Sequence, residues 1–292
     1  MGCQNFVAND EYIVVCLSDA TVHVLSSTTG ALLQETPFVH SAGYVTRPIL
    51  DGDTAILCSP NGVTLTVYSI PQHDVAFFRT VLGKTLVTSS PDGTMVTSNW
   101  ETGAVLWKKT LGEPYNPSRR KEKPTGVAAF ALAAYGNNDN NRIAAGGTDG
   151  RLFVFDLETG AQLKEWQAAD SMTQHLLVRG DQLIQLSWGE MKIWSLADYS
   201  LVQTVRMFDR VATSVALHRQ SVICCGRDAA TGGDMCGLDV GIKGWTAGKE
   251  QVFNIGPRLR NAGGLQILSG DRLVLNVLRG RAWSVEIWSI SE

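Results

Sequence analysis

The stretch NRIAAGGTDGRLFVFDLETGAQLKEW, residues 141–166, decides the fold. It reads as an apolar run, a turn at Asp149-Gly150, a second apolar run, a turn at Thr159-Gly160, and a third run. Asp-Gly between two alternating runs marks a tight hairpin, because both turn positions favour positive φ. The same order recurs in EYIVVCLSDATVHVLSSTTGALLQE, residues 11–35, around Asp19 and Thr29-Gly30. It recurs again in KTLVTSSPDGTMVTSNWETGAVLWKK, residues 84–109, around Asp92-Gly93 and Thr102-Gly103. Weaker copies occupy 53–78, 181–205, 220–245 and 271–292. One more apolar run precedes each copy, most plainly at 126–135, 172–178, 211–218 and 264–268. That makes four strands per unit.

Equivalent positions near the end of the third strand are Val24, Val67, Trp100, Phe155, Trp194, Trp245 and Trp288, a mean spacing of 44 residues. Roughly 40–45 residues is the length of one four-stranded propeller blade. A blade cannot bury both of its faces alone, so blades stack beside one another. The expectation is an all-β, seven-bladed β-propeller forming one domain over 1–292. Its blades fall at about 1–40, 41–78, 79–113, 124–168, 169–208, 209–256 and 257–292. The last blade stops after its third strand, giving 27 strands where a complete ring would have 28.

Composition agrees with this reading. Only 18% of residues are charged, against roughly 25% in an average domain, and 29 of 292 are glycine. Long amphipathic helices are disfavoured, and no apolar run approaches the roughly 18 residues of a membrane span. MGCQNFVAND at the start has neither a basic nor an apolar signal-like region, so the expectation is an intracellular protein, cytoplasmic or nuclear. Six cysteines, mostly inside apolar runs, read as buried thiols in a reducing compartment.

The repeat resembles the WD40 family over nearly the whole chain. Phe155-Asp156 stands where the Trp-Asp dipeptide would be, and Trp194-Ser195 and Trp288-Ser289 keep the tryptophan alone. Asp19, Asp92 and Asp149 match the family's turn aspartate, whereas the Gly-His dipeptide before the first strand is missing from every unit. ETGAVLWKK (101–109) and DGRLFVFDLETG (149–160) also resemble quinoprotein-type repeats. That second resemblance implies pyrroloquinoline quinone held against adjacent cysteines, and Cys224 and Cys225 are adjacent. They fall inside an apolar strand-like run, so two buried thiols are the preferred reading and no cofactor is expected.

No catalytic constellation emerges. None of the five histidines (His23, His40, His73, His175, His218) lies at metal-binding spacing from another ligand type, and neither G-x-S-x-G nor a P-loop occurs. The tryptophans fall where large side chains fill the space between sheets, so they read as core. A non-enzymatic scaffold is expected, with other proteins of a multi-subunit complex as partners.

Charge is uneven along the chain. Arg119, Arg120, Lys121 and Lys123 with Glu122 give a net +3 in five residues. Residues 251–281 carry Arg258, Arg260, Arg272, Arg279 and Arg281 against Asp271, a net +4, which leaves −10 for the rest. Loops joining blades and loops joining second to third strands emerge on one propeller face. Arg119, Arg120, Lys121, Lys123, Arg258, Arg260, Arg279 and Arg281 are therefore expected on that face, suited to acidic or phosphorylated partners. RNA or a phosphoinositide is the alternative ligand, weakened by the scarcity of aromatic stacking platforms beside these residues. The incomplete last blade nominates a second site. Its third strand, with Val285, Ile287 and Trp288, offers an open edge for a partner strand.

Overall fold

The computed structural model describes residues 3–17, 21–37, 46–51, 54–58, 65–69, 85–89, 93–99, 102, 104–111, 129–136, 140–228, 239–248, 251–255, 259–260, 262–269, 271–279 and 282–290. All regular structure among them is β, and every sheet is antiparallel with strands in chain order. The first sheet is β1 (Cys3–Ala8), β2 (Tyr12–Leu17), β3 (Thr21–Ser26) and β4 (Leu32–Pro37). The second is β5 (Thr46–Asp51), β6 (Thr54–Cys58) and β7 (Leu65–Ser69), and the third is β8 (Thr85–Ser89), β9 (Thr94–Asn99) and β10 (Val105–Thr110). β11 (Ala129–Tyr135), β12 (Arg142–Gly147), β13 (Arg151–Asp156) and β14 (Gln162–Gln167) form the fourth. β15 (His175–Arg179), β16 (Gln182–Ser187), β17 (Glu190–Ser195) and β18 (Leu201–Arg206) form the fifth. The sixth comprises β19 (Val211–His218), β20 (Ser221–Arg227), β21 (Asp239–Thr246) and β22 (Val252–Asn254), with β23 (Leu259–Arg260) also pairing β21. The seventh is β24 (Ala262–Leu268), β25 (Arg272–Arg279) and β26 (Ala282–Ser289).

The strands divide between two compact units, Met1–Phe78 with Thr213–Glu292, and Arg79–Ala212. In the second unit the fourth sheet packs on both faces. Ile143, Ala145, Phe153 and Phe155 meet Val87, Met95 and Leu111 of the third repeat, and Ala144, Leu152 and Val154 meet Leu176, Leu183 and Trp194 of the fifth. In the first unit the seventh sheet does the same. Leu273 and Leu275 lie against Ile223, Cys225 and Ile242, and Val274 lies against Phe6, Ile13 and Val15. Second strands are therefore buried on both faces and read as continuous apolar runs such as YIVVCL and RIAAGG.

Turn chemistry explains the glycines. At Gly150, φ is +84°, and its carbonyl accepts Ala168 N–H (3.1 Å) and Ala169 N–H (3.0 Å) from the chain leaving β14. A Cβ there would stand 2.0 Å from the Ala169 carbonyl oxygen, so only glycine lets the exit pass over the turn. The carbonyls of Gly93 and Gly189 repeat the latch with Leu111 and with Met207 and Phe208. The Thr-Gly turn is fixed by Asp156, whose Oδ1 accepts from the Thr159 hydroxyl (2.7 Å), Thr159 N–H (2.7 Å) and Glu158 N–H (3.2 Å). Those bonds, the Thr159 hydroxyl first, hold the Asp156 carboxyl below its usual range. Gly30 and Gly160 close such turns at φ +71° and +69°, and Tyr199 stands in the equivalent place at φ +63°.

The register between second and third strands aligns Leu25, Tyr68, Ser98, Phe155, Trp194, Trp245 and Trp288 as equivalents. Four of the seven expected positions hold. Val24 and Val67 were each one residue early. Trp100 lies outside the described residues; β9 ends at Asn99, whose side chain takes the capping role of Asp156 by accepting Thr102 N–H (3.1 Å).

Candidate functional site

The edge of β26 is the nominated site whose named residues, Val285, Ile287 and Trp288, all lie among the described ones. β26 pairs with β25 from Arg272↔Ser289 to Arg279↔Ala282 and, among the described residues, with no other strand. The corresponding third strands β3, β9, β13 and β17 each carry a fourth strand on that side. Burial follows the pairing. Val22 and Val24, Leu152 to Phe155, and Met191, Ile193 and Trp194 are buried in their strands. None of 284–290 in the seventh sheet is buried, and Ile287 is 38% exposed.

Two anchors fix β26 against its neighbours. Trp288 and Ile290 pack on the cluster of Ile223, Ile242, Leu273 and Leu275, and Val285 packs on that of Phe6, Ile13 and Val274. Trp288 Nε1 donates to Glu286 Oε2 (2.9 Å), and Ser284 Oγ donates to Glu286 Oε1 (3.3 Å). Polar contacts at the turns between first and second strands hold the sheet in place. Asp271 pairs with His218 Nε2 (2.9 Å) and Arg219 Nη2 (2.7 Å), while Asp10 accepts Ser269 N–H and Arg272 Nη1 donates to the Ser27 carbonyl (3.3 Å). The Ser269 N–H bond is the main reason the Asp10 carboxyl lies below its ordinary value. Among the described residues the side of β26 away from β25 carries no paired strand, and an unpaired strand edge is a place where another strand can add.

The basic residues fare differently. Arg119, Arg120, Lys121, Lys123, Arg258 and Arg281 lie outside the described residues. Arg260 and Arg279 are described by backbone alone. Arg260 sits in β23, paired with Asp239, and Arg279 closes β25 rather than standing in the turn, paired with Ala282. β23 lies beside β25, so these two strands meet. Lys243 Nζ is 2.8 Å from Asp228 Oδ1, and each side chain is largely covered.

Cys224 and Cys225 are free, fully buried, and paired across β20–β21 with Lys243 and Ile242. Successive strand residues face opposite sides. Cys225 joins the core cluster with Leu273, and burial pushes its thiol up to about 12 and the Cys224 thiol well above its ordinary value. Two neutral thiols facing apart inside a core do not fit an exposed quinone platform, so no chemistry is routed through that cofactor. Among the described residues no three His, Cys, Asp or Glu side chains converge as a metal site, and no helix is long and apolar enough to cross a membrane.

Sequence reasoning missed two features. One is a buried relay in the fifth sheet, where Trp194 Nε1 donates to Gln185 Oε1 (3.2 Å) and Gln185 Nε2 donates to Thr173 Oγ1 (2.8 Å). Its signal was a glutamine inside the apolar run QLIQLS. The other is the exposure of Trp188: the tryptophans as a group read as core, but this one stands in the Trp188-Gly189-Glu190 turn of the fifth repeat and is exposed, with φ +46°. Its neighbour Gly189 supplies the latch, so the tryptophan at the tip faces outward.

Repeated antiparallel sheets, packed face to face and latched at the Gly93, Gly150 and Gly189 turns, define a propeller-type repeat protein. The family described as outer membrane protein assembly factor BamB, of PQQ-repeat type, matches residues 4–205, and the chain belongs to it. The match fits the quinoprotein-type resemblance better and does not confirm the WD40 one. No curated protein matches the chain. Among solved structures the chain is similar to the computationally designed Ika8 protein, at 16% identity over 99% of this chain and 96% of that one, with a TM-score of 0.66. That likeness concerns the fold.

Proposed function

We propose that this chain is a non-enzymatic adaptor, a seven-bladed β-propeller that binds other proteins of a complex, with the β26 edge as its docking site. The observation that carries the reading is that, among the described residues, β26 is paired on one side only and its 284–290 segment has no buried residue where its counterparts are covered. Seven antiparallel sheets among the described residues, in step with the 44-residue repeat, support the seven-bladed reading. Membership of a family named for an assembly factor supports a protein partner rather than a substrate.

The test is hydrogen exchange on the purified chain, alone and with a partner co-purified from its source cells. Alone, alternate amides of 284–290 should exchange freely while those of β17 are protected on both sides. The partner should protect 284–290. A partner that binds without changing exchange there, or a β26 already protected in the isolated chain, would refute the docking site.

A further inference from the structure

The chain carries its own templates for the strand that would fit β26. In four of the five described sheets that have a fourth strand, it joins the third with the same irregularity, whereas in the sixth Trp245 pairs Val252 and Gly244 pairs Phe253 with no residue skipped. Leu25 pairs Leu32 and Val24 pairs Gln34, skipping Leu33. Ser98 pairs Val105 and Thr97 pairs Trp107, skipping Leu106. Phe155 pairs Gln162 and Val154 pairs Lys164, skipping Leu163. Trp194 pairs Leu201 and Ile193 pairs Gln203, skipping Val202. The skipped residue is aliphatic every time and faces solvent, at 54%, 46%, 46% and 55% exposure. A bulge of this kind bends the strand and raises its right-handed twist, which is what following a strongly twisted edge demands.

Each remaining position repeats in three of the four sheets: Gln162 departs opposite the Trp194 equivalent, Trp107 departs in the polar pair, and Thr36, which faces Val22, departs at the last position. The residue paired with the Trp194 position is Leu32, Val105, Gln162 or Leu201. Three residues earlier on the third strand, Met95, Leu152 and Met191 face Lys109, Trp166 and Val205. Those three side chains turn inward. The Lys109 ammonium lies 5.2 Å from the Phe155 ring, Trp166 meets Trp194 edge-on at 5.6 Å, and Val205 is buried. On β26 the equivalent positions are Trp288 and Val285.

We infer that the strand docking on β26 runs antiparallel to it and carries, in order, an aliphatic residue opposite Trp288, an extruded aliphatic residue, two polar residues, and a bulky apolar or long-stemmed residue opposite Val285. This rests on the proposed docking site and specifies its ligand, an extended segment of a partner protein. The two anchors are three residues apart on β26 and four apart on the incoming strand.

Three measurements on the full chain test it. The probe is the synthetic peptide DYSLVQTVRM, the sequence of residues 198–207, beside DYSLQTVRM, which lacks the residue at 202, and a scrambled peptide. Binding is read by fluorescence anisotropy and located by hydrogen exchange on 284–290. The intact pattern should bind saturably and protect that segment, and loss of the extruded residue should weaken it about tenfold or more. Equal binding of the shortened peptide with protection of 284–290 would overturn the pattern and leave the docking site standing. If neither the peptides nor the natural partner protects the segment, the docking site falls as well. Concentration-dependent self-association that protects 284–290 would make a second copy the occupant and overturn the assignment to a partner.

Discussion

Replacing Gly150 with alanine should destabilise the protein far more than replacing Gly180, although both glycines have positive φ, +84° and +57°. An L-residue in the left-handed region costs about 1–2 kcal/mol, and that cost is common to both. The difference lies in space. A Cβ at Gly180 meets nothing within 4 Å, whereas at Gly150 it would stand 2.0 Å from the Ala169 carbonyl oxygen. Relief requires the exit from β14 to move, which breaks the bonds from Ala168 N–H and Ala169 N–H to the Gly150 carbonyl. At about 1 kcal/mol each, these bring the Gly150→Ala cost to about 3–4 kcal/mol, against about 1–2 for Gly180→Ala. Urea unfolding followed by tryptophan fluorescence compares the two at equal m-value. Equal losses would show that backbone conformation alone sets the cost and would refute the latch.

Two further outcomes are expected. Trp107→Phe should cost about 1 kcal/mol more than Trp166→Phe, because Trp107 Nε1 donates to the Leu157 carbonyl (2.9 Å) while Trp166 Nε1 is buried with no partner among the described residues; paired urea midpoints check the order. Stability should fall as pH rises from about 9.0 towards about 12, because the folded Cys225 thiol stays protonated there while the unfolded one ionises near the ordinary 9.0. Unfolding midpoints across that range should decline less steeply in Cys225→Ala, and iodoacetamide at pH 8 should leave both β20 thiols unmodified until urea is added.

Much of the fold could be read from turn residues. Asp149-Gly150 and Thr159-Gly160 have a steric requirement that shows in the letters, and they placed β12, β13 and β14. Register was harder, since Trp100 outweighed Ser98 as the position equivalent to Phe155. A large aromatic attracts an alignment, but pairing is decided by backbone bonds and by the Asn99 cap, which do not depend on side-chain size. The last repeat was legible as a run of three apolar stretches, and β24, β25 and β26 are the strands described there. The relay through Gln185 was not, since its partners Thr173 and Trp194 are distant in sequence and meet only when β16 and β17 pair beside the turn before β15. The bulge was invisible for a related reason. Leu33, Leu106, Leu163 and Val202 look like ordinary strand residues, and only the pairing shows that each one is skipped.

Tyr199 has a consequence for anyone who would rebuild this chain by averaging its repeats. Positions 30 and 160 vote for glycine there, and a consensus would comply, sparing about 1–2 kcal/mol of left-handed backbone cost. It would also delete the hydroxyl that receives Arg142 Nη1 at 2.9 Å and lies 3.4 Å from the Tyr135 hydroxyl, and the ring that stacks 5.4 Å from Trp166. The fourth and fifth repeats are thus a matched pair, fitted to each other through a residue that breaks the rule of its own turn. Shuffling or duplicating either one would carry half of that joint to a neighbour cut for a different key.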